Sequence, residues 1–301
     1  MAQQVTATDT ATTVGSSGAG RLSSFWTAMR RSPSGFIGLI LVLVILLVSF
    51  IGPYLTPELV ADSDAIFLPF GSPGHLLGTD NEGKDILIQM IQGGRDIILI
   101  GFFAALLSTV IALVLGSLSA YIGGAFDSVV VTITDMVLTI PGIVLLAVIA
   151  AMVNLDSPLL LGGLVGILGW PVLTRTVRSQ VFSLKEREFV EASRLLDMGT
   201  ARVVFAEILP NMASFILMNF MIGVRGAIYG VTGLYLLGLA PITSSNWAVM
   251  INRSHTTGAY FNTNALPLVL CPVIALTALL FGLVLLTRSL EEILNPRLRD
   301  R

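Results

Sequence analysis

Residues 97–119, IILIGFFAALLSTVIALVLGSLS, form an apolar stretch without a charged side chain. A helix needs roughly 20 such residues to cross the ~30 Å hydrocarbon core of a bilayer, so this stretch is long enough to span a membrane. Other stretches of the same character lie at about 35–52, 129–153, 158–177, 211–240 and 266–287. Together they predict an all-α membrane protein with six transmembrane helices.

The composition of the whole chain fits this class of protein. Of its 301 residues, 54% are hydrophobic and 12% are charged, and the mean hydropathy is +0.86. These charges are too sparse for a soluble globule of this length, so we expect a surrounding lipid bilayer and no nucleic-acid partner. Cys271 is the only cysteine, which excludes a disulfide framework and a cysteine-based metal site. We expect His75 and His255 to be solvated loop residues, and we predict no bound metal or cofactor in this chain.

Two of the predicted helices contain proline: Pro141 lies in the third and Pro171 in the fourth. Membrane helices tolerate proline where neighbouring groups satisfy the freed carbonyls. The fifth stretch is long enough to be tilted, broken or partly re-entrant. Such irregularities indicate either moving parts or packing kinks, and the sequence leaves both interpretations open.

The distribution of positive charge predicts the orientation in the membrane, because cytoplasmic loops are rich in Lys and Arg. With both termini in the cytoplasm, thirteen of the 17 basic residues lie inside: Arg21, Arg30, Arg31, Arg175, Arg178, Lys185, Arg187, Arg194, Arg202, Arg288, Arg297, Arg299 and Arg301. The predicted outside loops contain Lys84, Arg95 and Arg253. We therefore predict a multi-pass protein with both termini cytoplasmic.

The stretch HLLGTDNEGKDIL, residues 75–87, has glycines and Lys84 at nearly the spacing of a phosphate-binding loop. Asp85 follows the lysine where a Ser or Thr would bind magnesium, and Asp80 adds negative charge that would repel a triphosphate. The predicted topology also places this stretch outside the cell, so we expect no nucleotide here. Glycines such as Gly78 permit tight turns, and the mixed charges indicate a loop tied against itself.

The stretch RSQVFSLKEREFVEASRLLDMGTARVVFAEILPNM, residues 178–212, is too charged to lie within a membrane. Ser183 followed by Glu186 forms a capping box, which predicts a helix from about Leu184. The charged residues lie mostly away from one apolar stripe of this helix. We expect that stripe to contain Phe189, Ala192 and Leu196.

A second short helix is predicted to follow the first. The sequence from Asp197 to Gly199 interrupts the first helix, because glycine readily takes the left-handed conformation that ends helices. Thr200 is positioned to cap a helix that runs toward Ile208, and Pro210 opens the fifth span. Two short helices of this kind either lie flat on the membrane or dock with another protein.

These segments resemble a known family. The 75–85 stretch, the segment GWPVLTRTVRSQVFSLKEREFVEA and the terminal LEEILNPRLR are similar to the dipeptide/oligopeptide/nickel permease family of bacterial ABC importers, in its C-type subunit. The similarity extends from about residue 75 to the carboxyl terminus, with Lys84 where the family usually has arginine. It implies a type I ABC-importer permease fold with cytoplasmic coupling helices.

The sequence around Glu191 resembles the EAA loop of ABC-importer permeases, whose short helix fits a groove in the ATP-hydrolysing subunit. This resemblance implies an ATPase-coupling loop at about 183–210 that contains Glu188, Phe189, Glu191, Ala192, Ser193, Leu196, Asp197, Gly199, Leu209 and Pro210. Family members usually have glycine at the position of Asp197 and alanine at that of Ser193. These departures leave the detailed docking geometry open, and the implied role is unchanged.

The family implies a transmembrane permease subunit of an ATP-driven importer, with di- or oligopeptides as cargo and no enzymatic centre in this chain. The implied partners are a second homologous permease subunit, two ATP-binding subunits that hold ATP and Mg, and an extracytoplasmic solute-binding protein. The implied location is the inner membrane of a bacterial or archaeal cell. Import of nickel or another small solute by the same machinery, and an ion-driven secondary transporter, are the alternatives.

The external loop has two possible roles in such an importer. Its residues Gly78, Asp80, Lys84 and Asp85 either help to seat the solute-binding protein or only stabilise the loop. The resemblance and the mixed charges are compatible with both roles.

Arg225 lies near the middle of the fifth predicted span, where a guanidinium costs ~3 kcal/mol or more. It either lines the translocation cavity and attracts a peptide carboxylate or is a paired structural arginine. We assign it, with Met221 and Tyr235, to the translocation path. Val231 stands where the family often has glutamate, which makes the path less acidic and argues against a metal cation as cargo. Asp135 is expected to be a hydrogen-bonded structural acid.

These predictions divide the chain into four parts. Residues 1–34, rich in Ala, Thr, Ser and Gly, are expected to form a flexible cytoplasmic segment without the features of a signal peptide. Residues 35–96 hold the first transmembrane helix and the external loop, and residues 97–290 form the core permease domain with its coupling loop. Residues 291–301 are a cytoplasmic tail.

Overall fold

The computed structural model of the chain describes residues 32–153, 155, 157–242 and 246–294. Its principal helices, in chain order, are α1 (Pro33–Ile51), α2 (Ile86–Ile122), α3 (Gly124–Thr139), α4 (Gly142–Met152), α5 (Pro158–Leu184), α6 (Glu188–Leu195), α7 (Ala213–Leu236), α8 (Trp247–Thr256) and α9 (Leu266–Leu294). Most of the predicted N-terminal segment and of the predicted tail lies outside these residues.

Within the described ranges, five helices are long and apolar enough to cross a membrane: Pro33–Tyr54, Ile86–Ile122, Pro158–Leu184, Ala213–Leu236 and Thr263–Ile293. Helices α3 and α4 form a sixth candidate span, bent by 87°. The predicted all-α membrane fold is confirmed, since each predicted stretch coincides with one of these spans. The boundaries differ most in α2, which begins at Ile86 rather than near residue 97.

The third predicted span, 129–153, is present, but the chain breaks within it at Pro141. Helix α3 ends before Ile140, which is extended (φ −89°, ψ 129°), and α4 starts after the proline. Proline has no N–H to donate and disfavours helical geometry in the residue before it. Pro171 instead lies inside the continuous helix α5, so the two prolines have different consequences.

Helix α2 is the central helix and contacts α1, α5, α7 and α8. Asp85 caps it by accepting a hydrogen bond from the Ile88 N–H at 3.0 Å. Its 37 residues extend over ~55 Å, well beyond the ~30 Å hydrocarbon core. The helix approaches α5 closely at Gly116 and Gly166, where a Cβ would lie 2.8 Å from a carbonyl oxygen of the facing helix.

Helices α1 and α9, the first and last of the described part of the chain, pack against each other. Their contact depends on glycine: a Cβ at Gly38 would lie 2.7 Å from Leu285 Cβ, and one at Gly282 would lie 2.8 Å from Val42 Cγ2. Small residues at such positions allow membrane helices to approach closely.

Helix α8 is missing from the sequence prediction, which places residues 241–265 in an external loop. Asn246 caps this helix by accepting a hydrogen bond from the Val249 N–H at 2.9 Å. The Trp247 Nε1–H donates to the Met90 carbonyl at 2.8 Å, and the first half of α8 is buried. The helix therefore packs into one end of the bundle, in contact with α2, α7 and α9.

The buried apolar residues form two separate clusters. The main core fills the middle of the bundle and the end that contains α8. The second core lies near the C-terminal end of α2 and consists of Ala120, Val177, Val181, Val190, Val203, Ile208 and Met212. The two ends of α2 thus belong to different parts of the molecule, one beneath the loop at 55–85 and the other beneath α6.

Candidate functional site

The candidate site begins where α5 leaves the bundle and the chain turns into α6. Ser183 lies in the last turn of α5, Lys185 caps that helix, and α6 starts at Glu188. The predicted capping box with a helix start at Leu184 is therefore wrong, because the membrane helix continues through this position. The Lys185 ammonium donates to the Ala120 carbonyl at 3.2 Å, which holds the end of α5 against the end of α2.

One side of α6 is anchored on the second core. Val190 is fully buried, and the buried Ser193 hydroxyl donates to the Phe189 carbonyl at 2.9 Å. Ala192 and Leu196, which were predicted to lie on the apolar stripe, are exposed. The predicted stripe is wrong because the helix starts later and rests on Val190; of the predicted members, only Phe189 packs against the second core.

The other side of α6 is an exposed surface, the α6 face, which consists of Glu188, Glu191, Ala192, Leu195 and Leu196. Positions three and four apart share one side of a helix, so the two carboxylates lie in a row beside the leucines. The side chains of Leu195 and Leu196 are 83% and 76% exposed. An exposed apolar tip with a charged edge is typical of a helix that docks in a groove of a partner.

A left-handed residue ends α6. Asp197 has φ 52°, and the Met198 N–H donates to the Ser193 carbonyl at 3.1 Å. This is the geometry with which glycine commonly ends helices, and aspartate tolerates it better than most residues. Gly199 is extended, with φ −57° and ψ 148°. The left-handed position predicted for the glycine is therefore taken by the aspartate.

The chain returns from α6 to the bundle through an irregular helix. Thr200 is its first helical residue rather than its cap, and Val203–Ile208 is π-helical, a geometry that is rare and frequent at functional sites. Leu209 packs on the second core, and Pro210 is exposed. The proline does not open the next span, because the backbone leaves helical geometry at Met212 (φ −111°, ψ 19°) before α7 begins.

Two ion pairs join α3 to α5 close to α6. Arg178 binds Asp127 through Nε–Oδ1 and Nη2–Oδ2 hydrogen bonds, each 2.6 Å long. Arg175 pairs with Asp135 farther along α3, which confirms the hydrogen-bonded role expected of that acid. Bidentate arginine–carboxylate pairs are strong and geometrically specific. The two ion pairs connect the part of α5 next to α6 with α3, the helix that precedes the Pro141 bend.

A cavity of about 410 Å³, the bend cavity, lies at the break between α3 and α4. Its walls come from α2, α5, α7 and the break itself, and none of the lining side chains is charged. Both Pro141 and Pro171 line it. The bend is therefore more than a packing detail, since it forms one wall of this cavity.

A second cavity of about 570 Å³, the Arg225 groove, lies between α7 and α9. The residues that line it include Ile222, Arg225, Tyr229, Thr232, Thr277 and Phe281. Met221 packs against the main core instead, and Tyr235 is 1% exposed, with its carbonyl accepting a hydrogen bond from α8. The structure thus does not bring together the three residues predicted for the translocation path.

The 55–85 loop is fixed by a buried carboxylate. Asp80 is fully buried and accepts hydrogen bonds from the N–H groups of Glu82 and Lys84, at 2.8 and 2.9 Å. A third bond comes from Gln89 Nε2 of α2 at 2.8 Å. One side chain therefore sets the path of the loop and attaches it to the bundle.

Two glycines allow the tight turns of this loop. Gly78 and Gly83 have φ values of 78° and 74°, in the left-handed region that favours glycine. A Cβ at Gly78 would overlap the Leu68 carbonyl oxygen, and one at Gly83 would overlap that of Asp62. The loop backbone packs against itself at both positions, as the sequence indicates.

Charged side chains complete the loop. His75 Nδ1 lies 2.9 Å from Asp85 Oδ2, so the expectation of a solvated His75 is wrong. Glu82 pairs with Lys84 and, at 3.2 Å, with Arg253 of α8. The hydrogen bond from Lys84 holds the pKa of Glu82 below its ordinary value of 4.5. These contacts stabilise the loop and attach it to α8.

Two known protein families match the chain, and the similarity begins well before residue 75, where the sequence analysis placed its start. Residues 97–300 match the family described as "Binding-protein-dependent transport system inner membrane component". Residues 20–73 match the family described as "N-terminal TM domain of oligopeptide transport permease C".

Similar individual proteins carry related names. The "Dipeptide transport system permease protein DppC" of Haemophilus influenzae is 29% identical over 289 residues, which cover 93% of this chain and 96% of the relative. The "Oligopeptide transport system permease protein OppC" of Mycobacterium bovis is 34% identical over 203 residues, or 65% of this chain and 69% of the relative. Since the first family match covers residues 97–300, this chain belongs to the family of binding-protein-dependent transport system inner membrane components, the permeases of these systems.

Proposed function

We propose that this chain is a permease subunit of an ATP-driven importer of di- or oligopeptides, and that the α6 face docks with an ATP-hydrolysing subunit. The α6 face carries the proposal, because two exposed leucines and two carboxylates project from a helix whose other side is fixed to the bundle. The relatives described above are named for dipeptide or oligopeptide transport, which supports peptides over nickel as cargo.

The proposed assembly contains a second homologous permease subunit, two ATP-binding subunits and an external solute-binding protein. ATP and Mg bind to the partner subunits, and this chain binds no cofactor. The distribution of Lys and Arg supports an orientation with α6 and both termini in the cytoplasm. In that orientation Gly78, Asp80, Lys84 and Asp85 shape the loop that faces the solute-binding protein.

A path of contacts leads from the α6 face to the bend cavity. Val190 fixes α6 to the second core, which also contains residues of α5. The Arg178–Asp127 pair then joins α5 to α3, and α3 ends two residues before Pro141, which lines the cavity. We expect closure of the ATPase subunits to pull on α6 and to change the shape of this cavity along the same path.

Charge reversal at Glu191 tests the docking role. In membranes that contain the complete importer, Glu191→Arg should lower peptide uptake by at least about tenfold, because lost interface charge pairs cost about 2–5 kcal/mol and 1.4 kcal/mol is already tenfold. The matched control is Glu186→Arg, at an exposed acid on the turn before α6 and off the α6 face. This variant should retain uptake close to that of the unchanged importer.

Two outcomes would contradict the proposal. The docking role fails if Glu191→Arg transports peptide as fast as the unchanged importer. Uptake that continues without the ATPase subunits and stops when the proton gradient is removed would instead identify an ion-driven secondary transporter. ATP hydrolysis by the purified chain alone would contradict the assignment of that activity to the partners.

A further inference from the structure

Arg225 carries a positive charge at the depth of the membrane, and it is not part of the proposed coupling path. It lies in the middle of α7, Ala213–Leu236, ~18 Å from either end of the helix. A guanidinium at this depth is strongly disfavoured in contact with lipid. Its position therefore requires water, an anion or a carboxylate partner.

The chain supplies no such partner among the residues that the structure describes. There, every ion pair joins other side chains, and the buried Arg225 Nε has no hydrogen-bond acceptor. Arg175 and Arg178 show the contrasting case, because each pairs with an aspartate of α3. In the described part of the chain, Arg225 is thus not the paired structural arginine that the sequence left possible.

The Arg225 groove offers space in which an anion can reach this guanidinium. The groove has a volume of about 570 Å³, and no acidic residue lines it. Tyr229 and Thr277 add hydroxyl groups, whereas Ile222 and Phe281 are apolar. A wall with one positive charge and otherwise neutral groups selects a ligand by its anionic group and places few demands on the rest of it.

We infer that Arg225 binds the C-terminal carboxylate of a peptide during its passage through the membrane. The inference rests on the proposed peptide cargo. Peptides differ in their side chains, but every unmodified peptide ends in a carboxylate, so one fixed cation can recognise all of them. A planar guanidinium can donate two parallel hydrogen bonds to a carboxylate, and Arg225 lines the groove without a carboxylate partner of its own in the described part of the chain. A single charge in an open groove also gives a contact weak enough for release.

Uptake of matched peptides tests this role. Cells that contain the complete importer are given labelled trialanine or its C-terminal amide, which differ only in the carboxylate. For the unchanged importer we expect faster uptake of the acid. Arg225→Gln should reduce the ratio of acid uptake to amide uptake by about tenfold, without changing uptake of the amide. Arg225→Lys keeps the charge and should retain most of the preference.

A control variant and a second probe complete the test. Arg95→Gln removes an exposed guanidinium of α2 that does not line the groove, and it should leave the ratio unchanged. Where the amide is not taken up at all, a tripeptide with a photoreactive C-terminal residue and a free carboxylate should label α7 or α9 of the unchanged protein. Labelling should be lost in Arg225→Gln and retained in Arg95→Gln.

The failures can be told apart. If the unchanged importer takes up neither peptide, the proposed peptide cargo fails and the inference fails with it. If it takes up trialanine but Arg225→Gln has the same acid-to-amide ratio, only the inference fails. Equal loss of both peptides in Arg225→Gln also overturns the inference, since Arg225 would then pair with a carboxylate of the second permease or with an anionic lipid.

Discussion

The 55–85 loop and α6, which lie at the two ends of helix α2, are attached to the bundle by different kinds of contact. At its start, the 55–85 loop is fixed by the buried Asp80 carboxylate and by turns at Gly78 and Gly83. At its other end, α6 rests on apolar side chains around Val190 and leads into a π-helical segment. Hydrogen bonds demand defined distances and angles, whereas apolar contacts are non-directional. The difference indicates a rigid platform at one end and a displaceable helix at the other.

The rigid end should be disrupted most by a side chain at Gly83. Gly83→Ala adds a Cβ that overlaps the Asp62 carbonyl at a φ of 74°, and it should lower the free energy of unfolding by roughly 3 kcal/mol or more. Gly71→Ala is the matched control, because Gly71 has a φ of 79° but no atom within 4 Å of its Cβ. It should cost only about 1–2 kcal/mol. Thermal unfolding of the two purified variants measures the difference, and equal losses would show that the loop backbone can move at Gly83.

The displaceable end should respond locally to a smaller change. Val190→Ala removes two buried methyl groups from the second core, which should weaken docking of α6 by about 2 kcal/mol. Hydrogen exchange should show faster exchange of α6 amides with little change in α8. Leu195→Ala is the control, since the exposed leucine should contribute less than about 0.5 kcal/mol to stability. Unchanged α6 exchange in Val190→Ala would contradict the anchoring role of the second core.

The smallest expected effect concerns the pH dependence of the loop. Because the pKa of Glu82 in the folded protein lies below its ordinary value of 4.5, its pairing stabilises the fold fully above about pH 4.5 and is lost as pH falls through the lower folded pKa. The unchanged protein should therefore have a higher Tm than Glu82→Gln at pH 7, and this difference should vanish in acid. A Tm difference that is constant between pH 7 and pH 3 would show that the carboxylate charge plays no part.

The membrane spans could be predicted from the sequence, because any helix that crosses a bilayer must contain a long apolar stretch. The sequence does not reveal that the chain breaks at Pro141 and stays helical at Pro171. Helix α5 packs closely on α2 before and after Pro171, at Gly166 and Thr174, which keeps the two halves in one continuous helix. Around Pro141 the backbone is exposed, with open space at Gly142, so nothing opposes the break. Proline sets the possibility of a bend, and tertiary contacts decide whether it occurs.

A short helix near Glu191 was predicted from the sequence, but its start and its exposed side were not. Glu188 and Glu191 are exposed on α6, near the predicted position. Leu195 was missed, although its spacing of four residues from Glu191 could have placed it on the same face. The helix start was misplaced because the Ser183 capping signal lies inside α5, which continues through it. Helix α8 was not predicted, because it is short and contains polar residues. Its burial depends on the hydrogen bond from Trp247 to Met90, which is far away in the sequence.

The contact between α1 and α9 has a consequence for the synthesis and membrane insertion of the protein. The ribosome releases α1 long before α9, so the surface around Gly38 enters the bilayer without the helix that will cover it. Until α9 is inserted, lipids or another protein must cover that surface. A nascent chain interrupted before α9 would keep the surface around Gly38 without its partner helix.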